Sequence, residues 1–264
     1  MKLRLYHVDA FADRPFRGNP AAVVVLDEFP GDEWLASVAE ENRLSETAYI
    51  VPSAEPGVFR LRWFTPRVEV PLCGHATLAS AWVLWERRGE RAPTIRFATK
   101  SGELLVGRRP DGWLELDLPA RRPVVVANAA VGAALGAPPE TVLESSACYT
   151  AVYRTADEVR ALSPDFRAVA ALDRHAVIVT APGSESDFVS RFFAPSAGID
   201  EDPVTGSSQC DLMPYWAARL GRPSLVAHQI SRRGGELRCT LVGERVLVAG
   251  TVTPYLEGEI DGPR

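Results

Sequence analysis

Two short turns of matching composition hold most of the side chains in this chain that could do chemistry. The first runs Glu69-Val70-Pro71-Leu72-Cys73-Gly74-His75 and the second Glu201-Asp202-Pro203-Val204-Thr205-Gly206-Ser207. Both read as Glu, any residue, Pro, a branched aliphatic, Cys or Thr, Gly, then a ring or small polar side chain. Each follows a Phe-containing extended segment ending in Pro (Trp63-Phe64-Thr65-Pro66 and Phe192-Phe193-Ala194-Pro195), and each leads into a helical run, Ala76 to about Arg87 and Leu212 to Leu220. A turn that opens a helix presents backbone N–H groups with no acceptor inside the helix, which suits an anion. Glycine at 74 and 206 would permit positive φ and a close approach of ligand to backbone. The anions such a corner stabilises are carboxylates, or an enolate formed during reaction. Taken singly, each turn could equally be an ordinary Gly turn capped by Thr or Ser; the matched pair favours a binding role.

Proton transfer beside a carboxylate also needs a side-chain base. Glu46 is the candidate, because it is the one acidic group in Leu44–Val51, a strand of apolar and β-branched residues, and partial desolvation suits a carboxylate to that task. His75 and Asp202, inside the two turns, are placed to bond a substrate and to relay or steady a proton. Cys73 is also in a turn, but Thr205 occupies its place in the other copy, so a mechanism with paired thiols lacks half its parts. A metal site built from Cys73, His75 and His7 has no ligand spacing to support it.

These residues need a frame, and the spacing supplies one. Glu69 and Glu201, Pro71 and Pro203, and Gly74 and Gly206 are each 132 positions apart in a chain of 264, which implies two similar halves rather than an array of short repeats. We expect an N-terminal half over 1–119 and a C-terminal half over 120–264, joined at Pro119–Pro123, with the last strand able to return to the first half. In the first half, strands are expected at Lys2–Phe11, Ala21–Leu26, Leu44–Val51, Phe59–Phe64, Thr94–Thr99, Leu104–Arg108 and Trp113–Leu118, with a helix from about Pro30 to Asn42. In the second, helices are expected near Ala129–Leu135 and Ala156–Leu162. Strands are expected at Ala147–Arg154, His175–Thr180, Phe188–Phe193, Leu225–Ser231, Leu237–Val242 and Val246–Val252. Few helices among many strands give an α+β class in which each half curls a sheet round a central helix. The ligand would then lie in a cleft between the halves.

Bulk composition excludes other functions. The net charge of −5 and the lack of any Lys/Arg run leave no basic surface for nucleic acid. Apolar runs fall short of the ~20 residues that span a bilayer, and charged residues and Pro interrupt the N-terminal one before it could form a signal core. A cytoplasmic protein without membrane partners is expected. The four cysteines have no CxxC pairing and read as reduced thiols.

Five blocks, in order along the chain, resemble the PhzF-like proteins of the phenazine-biosynthesis isomerase group, which share the diaminopimelate epimerase fold. They are Asp9-Ala10-Phe11 with Gly18-Asn19-Pro20-Ala21-Ala22-Val23, then Asn42-Arg43-Leu44-Ser45-Glu46-Thr47-Ala48, then Cys73–Ala79, then Asp202–Ser207, and last Ser231-Arg232-Arg233-Gly234-Gly235-Glu236-Leu237. Only about Arg121 to Asp173 is weakly related. The resemblance implies two domains, each a β-barrel-like sheet round a central helix, and a homodimer. It implies that Glu46 is a general acid/base moving a proton between carbons of a small cyclic carboxylic acid without metal or organic cofactor. It further implies that His75, Asp202 and Ser207 line the site, that the turns at Gly74 and Gly206 hold the substrate carboxylate, and, by analogy with the epimerases, that Asn19 contacts substrate; Ser45, Cys73 and Thr205 are expected to border the substrate, Cys73 as a bystander that shapes the pocket. Two other functions remain open on sequence: an amino-acid or hydroxy-acid racemase or epimerase, and a non-catalytic small-molecule binder.

Overall fold

The computed structural model describes residues 1–263, which divide into two compact units, 1–117 with 249–263, and 118–248. In the first unit, β1 (Lys2–Ala10) and β2 (Asn19–Val25) pair antiparallel, and β2 then pairs parallel with β3 (Glu46–Pro52). Strand β4 (Val58–Phe64) runs antiparallel to β3, takes the short β5 (Glu69–Val70) as an antiparallel partner, and pairs parallel with β6 (Thr94–Thr99). β7 (Gly102–Arg108) and β8 (Leu114–Pro119) continue antiparallel. Helix α1 (Asp32–Asn42) connects β2 to β3, and α2 (Gly74–Arg87) connects β5 to β6.

The parallel pair explains why β2 and β3 read as near-continuous apolar runs: they are buried on both faces, as parallel strands usually are. Ala22, Val24, Tyr49 and Val51 face α1, joining Leu35 and Ala39 in one core cluster. Because side chains alternate, Asn19, Ala21 and Val23 of β2 and Glu46, Ala48 and Ile50 of β3 take the opposite face. There lies α2, which packs on β1, β2, β3 and β7 and buries ten of its residues from Gly74 to Leu84.

The second unit repeats this pairing order. β9 (Val124–Val126) pairs with β10 (Thr141–Glu144), β10 with β11 (Cys148–Val152), and β11 runs parallel to β12 (Ala176–Pro182). β13 (Phe188–Ala194) is antiparallel to β12 and to β14 (Ile199–Asp202) and parallel to β15 (Ser224–Gln229), which pairs with β16 (Gly235–Val242). Helices α3 (Ala129–Leu135), α4 (Ala156–Ala161) and α5 (Phe166–Ala170) cover one face, and α6 (Gln209–Leu220) follows β14 as α2 follows β5. Trp216 of α6 stacks on Phe188 at 5.5 Å and donates from Nε1 to Thr180 Oγ1 at 3.0 Å, which fixes the helix on the other face.

One expected strand, Val246–Val252, is two: β17 (Arg245–Gly250) and β18 (Val252–Asp261). The chain turns at Thr251, whose hydroxyl donates to Ala12 O at 2.9 Å, and β18 then runs antiparallel along β1. Pro254 can sit within β18 because the register shifts there, between His7 and Val8. α5 was not expected, and α2 and α6 each begin earlier than their apolar residues suggest, at Gly74 and Gln209. No helix among the described residues is long and apolar enough to cross a membrane.

Candidate functional site

In the first unit, three elements deliver side chains to one point. Parallel register sets Ala21 of β2 beside Glu46 at the start of β3, so Asn19 and Glu46 share the face that looks at α2. Gly18 makes Asn19's position attainable: its φ is +65°, and a Cβ there would lie 2.1 Å from Ala10 O. At the N-terminus of α2, His75 completes the group. Glu46 Oε2 lies 3.1 Å from His75 Nε2, and Asn19 Nδ2 lies 3.1 Å from His75 Nδ1. Cys73 Sγ sits 3.5 Å from Nδ1 and 4.0 Å from Nε2. All four side chains are buried. The approach of Oε2 to the ring is close, yet its geometry is not that of a hydrogen bond, and among the described residues this buried oxygen accepts none.

Cys73 is the N-cap of α2 and makes no side-chain cap bond. The Cys73 side chain therefore caps none of the first-turn N–H groups of α2, which have no acceptor within the helix itself. Glycine at 74 is not required for a left-handed backbone, because Gly74 already belongs to the helix. The same holds for Gly206, which opens a 3-10 turn over Gly206–Ser208. The expectation of positive φ at these two positions is thus corrected.

In the second unit the turn is built differently. Thr205 is the N-cap of the 3-10 turn but does not cap it; its hydroxyl donates to the Asp202 carboxylate in a short hydrogen bond. Gln229 holds both ends of this turn, accepting from Thr205 N at 2.9 Å and donating from Nε2 to Asp202 O at 2.7 Å. Ser231 Oγ donates to Pro203 O at 2.6 Å. Ser207, only half-buried, gives its carbonyl to Arg121 Nη2 at 2.7 Å, and Arg121 also pairs with the fully buried Asp211. Burial is the largest influence and works against the Arg121 charge, but the hydrogen bond to Asp211 together with the charges of Cys210, Asp211 and Cys148 outweighs it, so this guanidinium is held above its usual range.

Of the residues singled out in sequence, the first unit thus brings Asn19, Glu46, Cys73 and His75 together, with Gly74 in the helix end itself. The second brings together Asp202, Thr205 and Gly206, with Ser207 beside them. Ser45 is half-buried at the entrance to β3. His7, once weighed as a metal ligand, packs its ring edge-on to Tyr255 at 4.8 Å.

Sequence reasoning missed the clamps that hold both turns. Arg62 donates from Nε and Nη2 to the two Glu69 oxygens, each at 2.8 Å. Arg191 does the same to Glu201 at 2.8 and 3.0 Å. Each Arg lies two residues before the Phe-Thr-Pro or Phe-Ala-Pro step, so the signal was an Arg at a matching place upstream of the repeated Glu. Bidentate Arg–carboxylate pairs fix geometry as well as charge, and each one anchors the strand that enters its turn.

Comparison with known proteins agrees with this architecture. Residues 8–258 match the family model of the phenazine biosynthesis-like proteins, PhzC-PhzF. An uncharacterized isomerase of Pseudomonas aeruginosa is 51% identical over 261 residues, covering 98% of this chain and 99% of that protein. The crystal structure of a PhzF-family phenazine biosynthesis protein from Enterococcus faecalis superposes with a TM-score of 0.94 at 41% identity, covering 99% of this chain and all of that one. A hydroxyproline epimerase from Agrobacterium vitis shares the fold alone, at a TM-score of 0.61 and 13% identity over 98% of this chain and 92% of that one. The chain belongs to the phenazine biosynthesis-like (PhzC-PhzF) family, a family of isomerases.

Proposed function

We propose that this protein is an isomerase that moves a proton on a small carboxylic acid, with Glu46 as the general acid/base. The observation that carries this reading is the buried Glu46 carboxylate, 3.1 Å from His75 Nε2, with one oxygen uncommitted to any donor. A carboxylate in that state has a lone pair for a substrate C–H proton and a neighbouring ring to steady the charge that changes on transfer. His75 is set between Asn19 and Glu46, so its ring orientation is fixed before substrate arrives. Electron density left on the substrate becomes an enolate, and the uncapped N-terminus of α2 offers N–H groups and a favourable dipole to it or to the substrate carboxylate. Returning the proton from Glu46 to a different carbon completes an isomerisation with no net change in atoms or electrons.

The racemase reading would need a second thiol opposite Cys73. Thr205 holds the matching position, and its hydroxyl is engaged with Asp202, which supports Glu46 over a two-cysteine mechanism. The test is NMR in deuterated water on a panel of cyclic and amino carboxylic acids, comparing wild type with Glu46→Gln. Deuterium entry at a substrate carbon that disappears in Glu46→Gln supports the assignment; exchange at an unchanged rate in the variant removes Glu46 from the mechanism. Ligand binding without turnover in either form would leave only a binding protein.

A further inference from the structure

We propose that Glu46, Cys73 and His75 form a binding site for a thiophilic divalent cation, zinc(II) in class, and that the bound cation silences the acid/base carboxylate. The binding rests on geometry alone; the silencing rests on the role proposed above for Glu46.

The three side chains are buried, and each offers one ligand atom, a sulfur, a ring nitrogen and a carboxylate oxygen, all within 4.8 Å of one another. A tetrahedral zinc ion, with bonds of ~2.3 Å to sulfur and ~2.0–2.1 Å to nitrogen or oxygen, requires its donor atoms to stand roughly 3.3–3.6 Å apart. The 3.1 Å between Glu46 Oε2 and His75 Nε2 is near that edge length. Cys73 Sγ stands beside the ring, 3.5 Å from Nδ1 and 4.0 Å from Nε2, so the Cys73 side chain must turn outward to share one ion with Nε2 and Oε2. Glu46 Oε2 is the oxygen that accepts no hydrogen bond among the described residues, so a cation would take a lone pair that no donor has to vacate.

The Asn19 amide lies 3.1 Å from His75 Nδ1 through its nitrogen; turned to present its oxygen, it would accept the Nδ1 proton, as an outer partner of a metal-bound imidazole does. Three protein donors leave a fourth position for water or an anion, the pattern of open rather than closed zinc sites. The thiolate selects zinc over magnesium or calcium, which prefer all-oxygen shells. The N-terminus of α2 acts in both directions: it lowers the cost of the Cys73 thiolate and opposes the arriving positive charge. Affinity should therefore fall below that of closed four-ligand sites. Binding forms metal–sulfur, metal–nitrogen and metal–oxygen bonds, releases the Cys73 thiol proton and any proton on Nε2 or Glu46 to solvent, and changes no oxidation state. Glu46 then spends the Oε2 lone pair on the cation and is a weaker base.

The test uses the full chain, stripped by chelator and kept reduced with a phosphine, titrated with cobalt(II) as a spectroscopic probe. One equivalent should produce a near-ultraviolet sulfur-to-cobalt charge-transfer band with intense tetrahedral visible bands; zinc should abolish both and magnesium neither. Cys73→Ser should lose the charge-transfer band and weaken zinc binding by about 100-fold or more, and Asn19→Ala by about tenfold. A charge-transfer band that persists in Cys73→Ser, or cobalt bound with a weak octahedral spectrum only, overturns the site. Should Cys73→Ser fail to fold by circular dichroism, alkylation mapped by mass spectrometry on wild type decides: zinc must protect Cys73, and equal labelling with and without zinc overturns the proposal. Zinc binding with no turnover of any acid would fail the isomerase reading while leaving the site intact. Turnover that is unaffected at saturating zinc would overturn the silencing.

Discussion

Ala176 occupies in the second unit the register position that Glu46 occupies in the first. Glu46 opens β3 opposite Ala21 of the parallel strand before it, and Ala176 opens β12 opposite Cys148. Each follows the helical connection from the preceding strand, and each lies on the face that meets the long helix, α2 or α6. If Glu46 is the acid/base group proposed above, the second half carries no carboxylate at the matching position, and loss of Glu46 should not be compensated by the other half. Glu46→Gln keeps the side-chain volume and removes the base, so exchange of the substrate proton should fall by about 10²–10⁴-fold, with secondary structure unchanged by circular dichroism. Residual exchange above that range would mean that another group carries the proton.

His75 makes a second, separable prediction. Its ring is held at Nδ1 by Asn19 and faces Glu46 through Nε2, so it acts by setting the state of the carboxylate. On the proposed role, His75→Gln should lower kcat more than it raises KM, and it should shift the pH profile of kcat/KM, because the imidazole 3.1 Å from Glu46 Oε2 is gone. A pure rise in KM with an unmoved profile would make His75 a substrate contact only.

The clamp Arg62–Glu69 predicts an acid sensitivity. The hydrogen bond from Arg62 holds the Glu69 carboxyl below its ordinary value of 4.5, with Lys100 adding to the effect and burial opposing it. A depressed folded-state pKa contributes stability that is complete above the unfolded value and lost as pH falls through the folded one. Glu69→Gln should thus flatten the loss of stability below about pH 4.5 that wild type shows in urea melts. At neutral pH the same change leaves Arg62, largely buried at 17% side-chain exposure, with Asp32 as its remaining partner. The pair is part-buried and Asp32 remains, so the lost charged hydrogen bonds should cost about 1.5 kcal/mol. A neutral-pH change within about 0.5 kcal/mol would show that the clamp does not hold the turn.

How much of this the sequence carried depends on the kind of signal. The repeated Glu-x-Pro turns, the helices they open and the apolar strand bearing Glu46 were legible, because each is a local pattern in one stretch of chain. The meeting of Glu46 with Cys73 and His75 was not, since it depends on the parallel β2–β3 register and on α2 packing across that face. For the same reason the cluster has no ligand spacing that a motif could describe: one donor comes from a strand and two from a helix end. β18 was hidden by Pro254, Gly258 and three acidic residues, Glu257, Glu259 and Asp261, its pairing with β1 being set by tertiary contact rather than propensity. α5 did leave a local signal, since Asp165 after Pro164 caps it by accepting from Arg167 N at 2.9 Å and Ala168 N at 3.2 Å.

The thiols supply the last prediction. Burial pushes the Cys148 thiol up to about 12, the nearby Asp211 charge adding to the effect and Arg121 opposing it. Burial likewise pushes Cys210 up to about 11, with Arg121 again opposing. Both groups are therefore protonated at pH 8, and the thiolate is the reactive form. In the native protein at that pH, iodoacetamide should leave Cys148 and Cys210 unmodified over a period in which a denatured sample is labelled at all four cysteines. Because each raised pKa reflects the folded environment, labelling of these two sites should track unfolding across a urea titration. Rapid labelling of either in the native state would show that the buried Arg121–Asp211 region opens without global unfolding.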